Sequence, residues 1–317
     1  AGLIVGPRLL PFPLVSDIPN IKTLAEMGVI FLMFSLGIEF SFKKLARVGA
    51  SASFAAIFEV SAMLLLGYGA GALLGWKLQD RVFLGAMLAI SSTTIIIKAL
   101  DELGLKGRRF AELVLGILIV EDLIAVLILV TLTTFAVHGS LSATVLAYSS
   151  GKLVLVVGSW FLTGYFILPR FIRYVGKSKS DETLTIVAVG LCLILSVLAT
   201  RFNYSPALGA FIMGSILGES TESHRIEEQI KPLRDLFAAI FFISVGMLID
   251  PVALWQHKEE VLVLSAVIIT GKLFFVTLGT LLTGQTLRSS ILVGFSLGQI
   301  GEFSFIIATL GQSLGVI

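Results

Sequence analysis

Eleven apolar runs follow one another along the chain, separated only by short polar or Gly/Pro-containing connections. A bilayer offers backbone N–H and C=O groups no water, so a run of about 20 apolar residues satisfies them by folding as a spanning helix. The runs cover residues 1–12 in part, then 20–38, 50–75, 80–99, 108–134, 151–174, 182–200, 204–218, 232–249, 259–282 and 288–313. With 56% hydrophobic and only 14% charged residues, the composition excludes an ordinary soluble globular protein. No hydrophilic block is long enough to fold alone. Residues 1–317 therefore read as one integral transmembrane domain of all-α class, with no soluble domain and no enzymatic appendage. The chain opens inside an apolar segment, Ala1-Gly-Leu-Ile-Val-Gly-Pro, and an odd number of spans leaves its end outside. The expectation is about thirteen spans in the parent protein, lacking here the first and the last.

Spans that alternate in direction divide the connections into two sets. One holds Lys43, Lys44, Arg47, Lys106, Arg108, Arg109, Arg170, Arg173, Lys177, Lys179, Arg225, Lys231, Arg234 and Arg288. The other holds Arg8, Lys22, Lys77, Arg81, Lys152, Arg201 and Lys258. This two-to-one bias assigns the first set to the cytoplasm, and the expected location is a bacterial cytoplasmic (inner) membrane. A net charge of +2 gives no reason to expect nucleic acid. The single Cys192 lies in an apolar run and reads as a small core hydrophobe.

Two segments break the apolar pattern inside the membrane. Ala89-Ile-Ser-Ser-Thr-Thr-Ile-Ile-Ile97 carries four consecutive hydroxyls, which compete with the helical ladder for backbone groups. Ser296-Leu-Gly-Gln-Ile-Gly-Glu-Phe-Ser-Phe305 carries two glycines and a glutamate. Their spans run in opposite directions, so the pair points to an inverted-repeat transporter with an ion site near the midplane.

Glu121 and Asp122 stand side by side within Leu113–Val130, which is otherwise nearly pure hydrocarbon. A carboxylate at the centre of a span costs at least about 2.5 kcal/mol, so the pair is by default a site for a cation or a proton. Lys272, Glu302 and Glu59 are the other deep charges; Lys98, Glu39, Glu112 and Glu26 lie nearer span ends, where snorkelling explains them. Successive helix positions are about 100° apart, so Glu121 and Asp122 face different targets. One is expected to hold Lys272, while the other takes the transported ion. The alternative for Glu121 with Lys272 is a permanent structural bridge, and Glu59 has no assigned role. Other chemistry fits poorly: His138, His224 and His257 are scattered in expected loops, no Gly-x-Ser-x-Gly elbow occurs, and Gly298 with Gly301 is too sparse for a dinucleotide fingerprint.

Six motifs occur in order: Gly2-Leu-Ile-Val-Gly-Pro-Arg-Leu-Leu, Phe31-Leu-Met-Phe-Ser-Leu-Gly-Ile-Glu-Phe, Ser91-Ser-Thr, Val120-Glu-Asp, Phe241-Phe-Ile-Ser-Val-Gly-Met and Gly298-Gln-Ile-Gly-Glu-Phe-Ser-Phe. Together they resemble the monovalent cation:proton antiporter family, most closely its Kef-type potassium efflux and bacterial Na⁺/H⁺ exchanger branch. The resemblance implies an inverted-repeat antiporter fold of about thirteen spans, with two crossed discontinuous helices, a mobile core domain and a dimerisation domain, hence a homodimer surrounded by membrane lipid. It implies that Asp122 binds a monovalent cation or a proton in competition. Glu121 then matches the variable residue before it and Lys272 the lysine that bridges to that residue. Ser91, Ser92, Thr93 and Thr94 match the first crossover, and Gln299 and Glu302 the second. The Glu-Asp pair differs from both the Asp-Asp of electrogenic sodium exchangers and the Gln-Asp of Kef systems, leaving K⁺ and Na⁺ both open. No cofactor is implied within this chain beyond the transported ions; a cytoplasmic regulatory domain or subunit, as Kef systems carry, would lie outside it. A ligand-gated cation channel and a sodium-coupled organic anion symporter remain the alternative functions at this point.

Overall fold

The computed structural model describes residues 2–7, 15, 17–39, 49–105, 107–138, 143–176, 180–202 and 204–317. The expected loop cations Arg8, Lys43, Lys44, Arg47, Lys106, Lys177 and Lys179 lie outside the described residues, as do the side chains of Thr94 and Lys98. All regular structure among the described residues is α-helical. In chain order the helices are α1 Gly2–Val5, α2 Ile18–Glu39, α3 Ala50–Leu73, α4 Leu78–Ala89, α5 Thr93–Glu102, α6 Arg109–His138, α7 Ala143–Gly176, α8 Asp181–Arg201, α9 Pro206–Gly218, α10 Ser223–Leu248, α11 Pro251–Gln256, α12 Lys258–Leu282, α13 Leu287–Ser296 and α14 Phe303–Ser313. By length and composition, α2, α3, α6, α8 and α12 are each apolar enough to cross a membrane. The chain divides into two units, Ala1–Phe42 with Ser140–Trp255, and Lys43–Gly139 with Gln256–Ile317.

In the first unit, α9 is apolar on every face and packs against α2 and α8. Its start is fixed by Ser205, whose hydroxyl accepts the Ala207 N–H, and by Pro206 in the first helical position. Gly214 and Gly218, four residues apart, let α9 approach the α2 backbone, because a Cβ at Gly218 would lie 2.5 Å from the Ile38 carbonyl oxygen. Helix α10 begins well before the apolar run expected at 232, and α7 likewise begins before 151. The first turns of α10, Ser223-His-Arg-Ile-Glu-Glu-Gln, carry no apolar run. Arg225 in those turns pairs with Asp181, and Arg234, further along α10, has its Nη1 2.9 Å from Glu39 Oε1. Glu39 is thus ion-paired, beyond the snorkelling its position first implied. His224 lies in α10 and His138 ends α6, so neither sits in the loop expected of it.

The second unit repeats one pattern. A long helix, α3, is followed by the broken pair α4 and α5, and a second long helix, α12, is followed by the broken pair α13 and α14. The halves contain 12, 10, 10 and 11 residues. At about 1.5 Å per residue, each half crosses only about half of a 30 Å hydrocarbon layer. Helix α3 packs on both α4 and α12, and α12 on α13. An apolar cluster including Ala55, Ile96, Val114, Leu118, Val276 and Val293 joins α3, α5, α6, α12 and α13. The first break is shorter than the hydroxyl run that signalled it, spanning only Ile90–Ser92. The Ser92 hydroxyl accepts the Ile95 N–H, 3.4 Å away, and this cap lets Thr93 and Thr94 begin α5 rather than prolong the break. The second break runs from Leu297 to Glu302.

Candidate functional site

A helix broken inside a membrane leaves carbonyls at one end and N–H groups at the other with no water to meet them. Charged and amide side chains meet them here. Ile90 turns extended (φ −109°, ψ 130°) and ends α4. The Ala89 carbonyl then accepts from Lys272 Nζ at 2.7 Å, and the Ile90 carbonyl accepts from the Gly301 N–H at 2.8 Å. On the other side of the break, the Ser91 N–H donates to Glu121 Oε2 at 2.7 Å. The Ser92 N–H donates to Gln299 Oε1 at 3.0 Å, while Gln299 Nε2 donates to the Ser92 carbonyl at 3.4 Å. The two breaks therefore complete each other's backbone. Lys272 sits at the carbonyl end of α4 and Glu121 at the N–H side of the break, each matching the local dipole.

Gly301 makes this approach sterically feasible. A Cβ on it would lie 2.6 Å from the Ser91 carbonyl oxygen and 2.7 Å from the Ser91 carbonyl carbon, both backbone atoms that cannot swing aside. Gly301→Ala is expected to push the breaks apart and lower stability by about 1–3 kcal/mol, read as a lower melting temperature in detergent. A wild-type melting curve would show that the two breaks separate without penalty.

The carboxylates fall into two environments. Asp122 is half-buried, and its Oδ2 and Oδ1 accept from the Thr93 hydroxyl at 3.0 and 3.2 Å, at the first residue of α5. Glu302 Oε2 accepts from the Ser92 hydroxyl at 2.8 Å, one residue earlier. Glu121, Glu59 and Lys272 form a separate cluster, each no more than 1% exposed. Lys272 Nζ lies 2.6 Å from Glu59 Oε1 but 3.9 Å from Glu121 Oε1, and it also donates to the Ser91 hydroxyl at 3.0 Å. The expected pair with Glu121 is present at the longer distance, and Glu59 joins it as the nearer counter-ion, Glu121 Oε2 being bonded to the Ser91 N–H. Removing one partner from so buried a pair leaves an uncompensated charge in a medium of low dielectric.

Three consecutive residues at the first break thus gather the expected site residues, Ser91 with Glu121 and Lys272, Ser92 with Gln299 and Glu302, and Thr93 with Asp122, whereas the Thr94 side chain lies outside the described residues. Sequence reasoning placed Glu59 among the deep charges but gave it no role. A signal was present: Ala52, Ala55, Ala56, Glu59 and Met63 share one buried stripe of α3 at helical spacing. On the facing helix, Gly271 abuts Met63 and Gly279 abuts Ala55. Small residues on both sides bring Glu59 and Lys272 together. Chemically, the carboxylates of Asp122 and Glu302 and the hydroxyls of Thr93 and Ser92 present oxygen donors, which suit a hard cation or a proton.

The family model described as "Sodium/hydrogen exchanger, transmembrane" matches residues 1–317. The chain is 38% identical to YbaL of Escherichia coli (strain K12), which carries a provisional cation/proton antiporter name; the match covers all of this chain and 58% of that protein. It is 32% identical to K(+) efflux antiporter 5 of Arabidopsis thaliana, over all of this chain and 56% of that one. The chain thus spans little more than half the length of these curated relatives. The solved structure of the sodium proton antiporter MjNhaP1 from Methanocaldococcus jannaschii at pH 8 superposes with a TM-score of 0.74 at 18% identity, over 99% of this chain and 78% of that one, and so shares the fold.

Proposed function

The chain belongs to the sodium/hydrogen exchanger transmembrane family, and on that premise we propose that it is the membrane part of a secondary antiporter, exchanging K⁺ or Na⁺ for protons by alternating access. Asp122 is the exchanging group in this reading. The observation that carries it is the placement of its carboxylate on Thr93, at the start of α5, where two broken helices meet. A carboxylate crosses a membrane favourably only when neutralised, and a proton or a monovalent cation does this equally, so competition at Asp122 couples the two fluxes. The Thr93 hydroxyl adapts to either state: its O–H donates to the empty carboxylate, and its lone pairs face a bound cation or a protonated acid after rotation.

Glu59 narrows the part played by Lys272. With a carboxylate of its own at 2.6 Å, Lys272 keeps a counter-charge whatever occupies Asp122. The cluster of Glu59, Glu121 and Lys272 then completes the helix break, and only Asp122 exchanges. One carboxylate exchanging one monovalent cation for one proton moves no net charge. The unit that holds every one of these residues is the ion-carrying body in this reading, and the working protein is a homodimer in a bacterial cytoplasmic membrane.

The reading is tested in proteoliposomes with an imposed pH gradient and a pH-sensitive dye. Addition of K⁺ or Na⁺ is expected to dissipate the gradient at a rate that does not change when the membrane potential is clamped by an ionophore. Cation flux without proton counterflow would indicate a channel and overturn the assignment. Coupled flux that follows the potential would leave antiport standing but remove the single-carboxylate stoichiometry.

A further inference from the structure

Away from the helix breaks, a cavity of about 430 Å³ opens at the ends of α6 and α13, and three arginines converge on it: Arg108, Arg109 and Arg288. Thr286 and Ser289 supply hydroxyls to the same wall. No carboxylate lines this cavity, and among the described residues none of the three guanidinium groups makes an ion pair. Arg225 and Arg234, by contrast, are each engaged by carboxylates. Like charges gathered around a concavity repel one another, weakly in water, and an anion that shares it removes that repulsion. The backbone adds to the same field: α6 begins at Arg109 and α13 at Leu287, so two helix N-termini of 30- and 10-residue helices meet the pocket. Thr286 caps the Ser289 N–H, at 3.3 Å, leaving the earlier N–H groups of α13 for a ligand.

We propose that this pocket binds a phosphate group. Arginine forks match a tetrahedral oxyanion with two parallel hydrogen bonds each, a geometry lysine does not offer. The pocket lies at helix ends in connections that the basic bias assigns to the cytoplasmic face, where the phosphate is carried either by an anionic phospholipid or by a soluble phosphate ester. Both sources present the same chemistry to the three arginines. The site is independent of Asp122 and of the antiport reading.

The test measures thermal unfolding of the full chain in detergent against titrated phosphatidylglycerol, cardiolipin, phosphatidylcholine, inorganic phosphate and adenosine monophosphate. Wild-type protein is expected to be stabilised saturably by an anionic phosphate probe and not by phosphatidylcholine. Arg108→Gln and Arg288→Gln should each weaken the apparent affinity about fivefold, and the double variant about twenty-five-fold. Arg288→Lys, which keeps the charge and loses the fork, should fall between. Stabilisation by the lipids alone identifies a headgroup, and stabilisation by the small phosphates identifies a soluble ligand; loss of either in the double variant supports the site. Equal stabilisation of wild type and double variant, or none by any probe, overturns it. Asp122→Asn should bind the probe as wild type does, so failure here and failure of the antiport reading are distinguishable. All three arginines are exposed, so their glutamine variants should fold, which the melting temperature without ligand verifies.

Discussion

Asp122→Asn is expected to reduce cation-dependent dissipation of a pH gradient to the rate of protein-free vesicles. The substitution is close to isosteric, and the amide still pairs with the Thr93 hydroxyl, now 3.0 Å from Oδ2. Its effect on folding should therefore stay within about 1 kcal/mol, the net worth of one ordinary hydrogen bond. What the variant loses is the charge that a cation must neutralise and the oxygen that a proton must occupy. Both halves of the exchange fail together. Asp122→Glu separates charge from position: it retains both chemistries but moves the carboxylate by one methylene, so slow exchange with altered cation preference is expected. Coupled exchange persisting in Asp122→Asn would move the site elsewhere, with Glu302, bonded to Ser92, as the next carboxylate to examine.

The membrane architecture was legible because apolar length is a one-dimensional signal. The same is true of the two breaks, where hydroxyls and glycines interrupt hydrocarbon. Their extents were less so: Thr93 and Thr94 look like part of the first break, yet a single capping hydroxyl on Ser92 turns them into the start of α5. The first nine residues of α10, Ser223 to Lys231, were invisible to a search for apolar runs because His224, Arg225, Glu227, Glu228 and Lys231 lie there. The acidic pair announced itself by its energetic cost, and so did Lys272. Which carboxylate faces the lysine was not legible. That depends on how closely α3 and α12 pack, and hence on Ala55 and Gly279 meeting. It depends also on a backbone N–H, that of Ser91, competing for Glu121. Backbone groups freed by a break carry no sequence signature of their own.

The second large effect concerns that pairing. Lys272→Met is expected to cost about 3–5 kcal/mol, because it leaves Glu59 and Glu121 buried together without a cation. It also strips the Ala89 carbonyl and Ser91 hydroxyl of a donor. Glu59→Gln should cost less, since Lys272 retains Glu121 at 3.9 Å and two oxygen acceptors. Glu59→Met with Lys272→Met should recover part of the loss, because removing both members of a buried pair removes the desolvation penalty along with the attraction. The recovery should be incomplete, since Glu121 and the Ala89 carbonyl stay behind. A double-mutant cycle on melting free energies measures this, with a coupling of about 0.5–3 kcal/mol expected between positions 59 and 272 and a smaller one between 121 and 272. A larger coupling for Glu121 would restore the pairing first read from the sequence. It would also tie Lys272 to the residue next to Asp122, so that an ion arriving at Asp122 could disturb the bridge and move charge. In the proposed single-carboxylate exchange, Glu59 is the residue that gives Lys272 a near partner, at 2.6 Å, while Asp122 changes state.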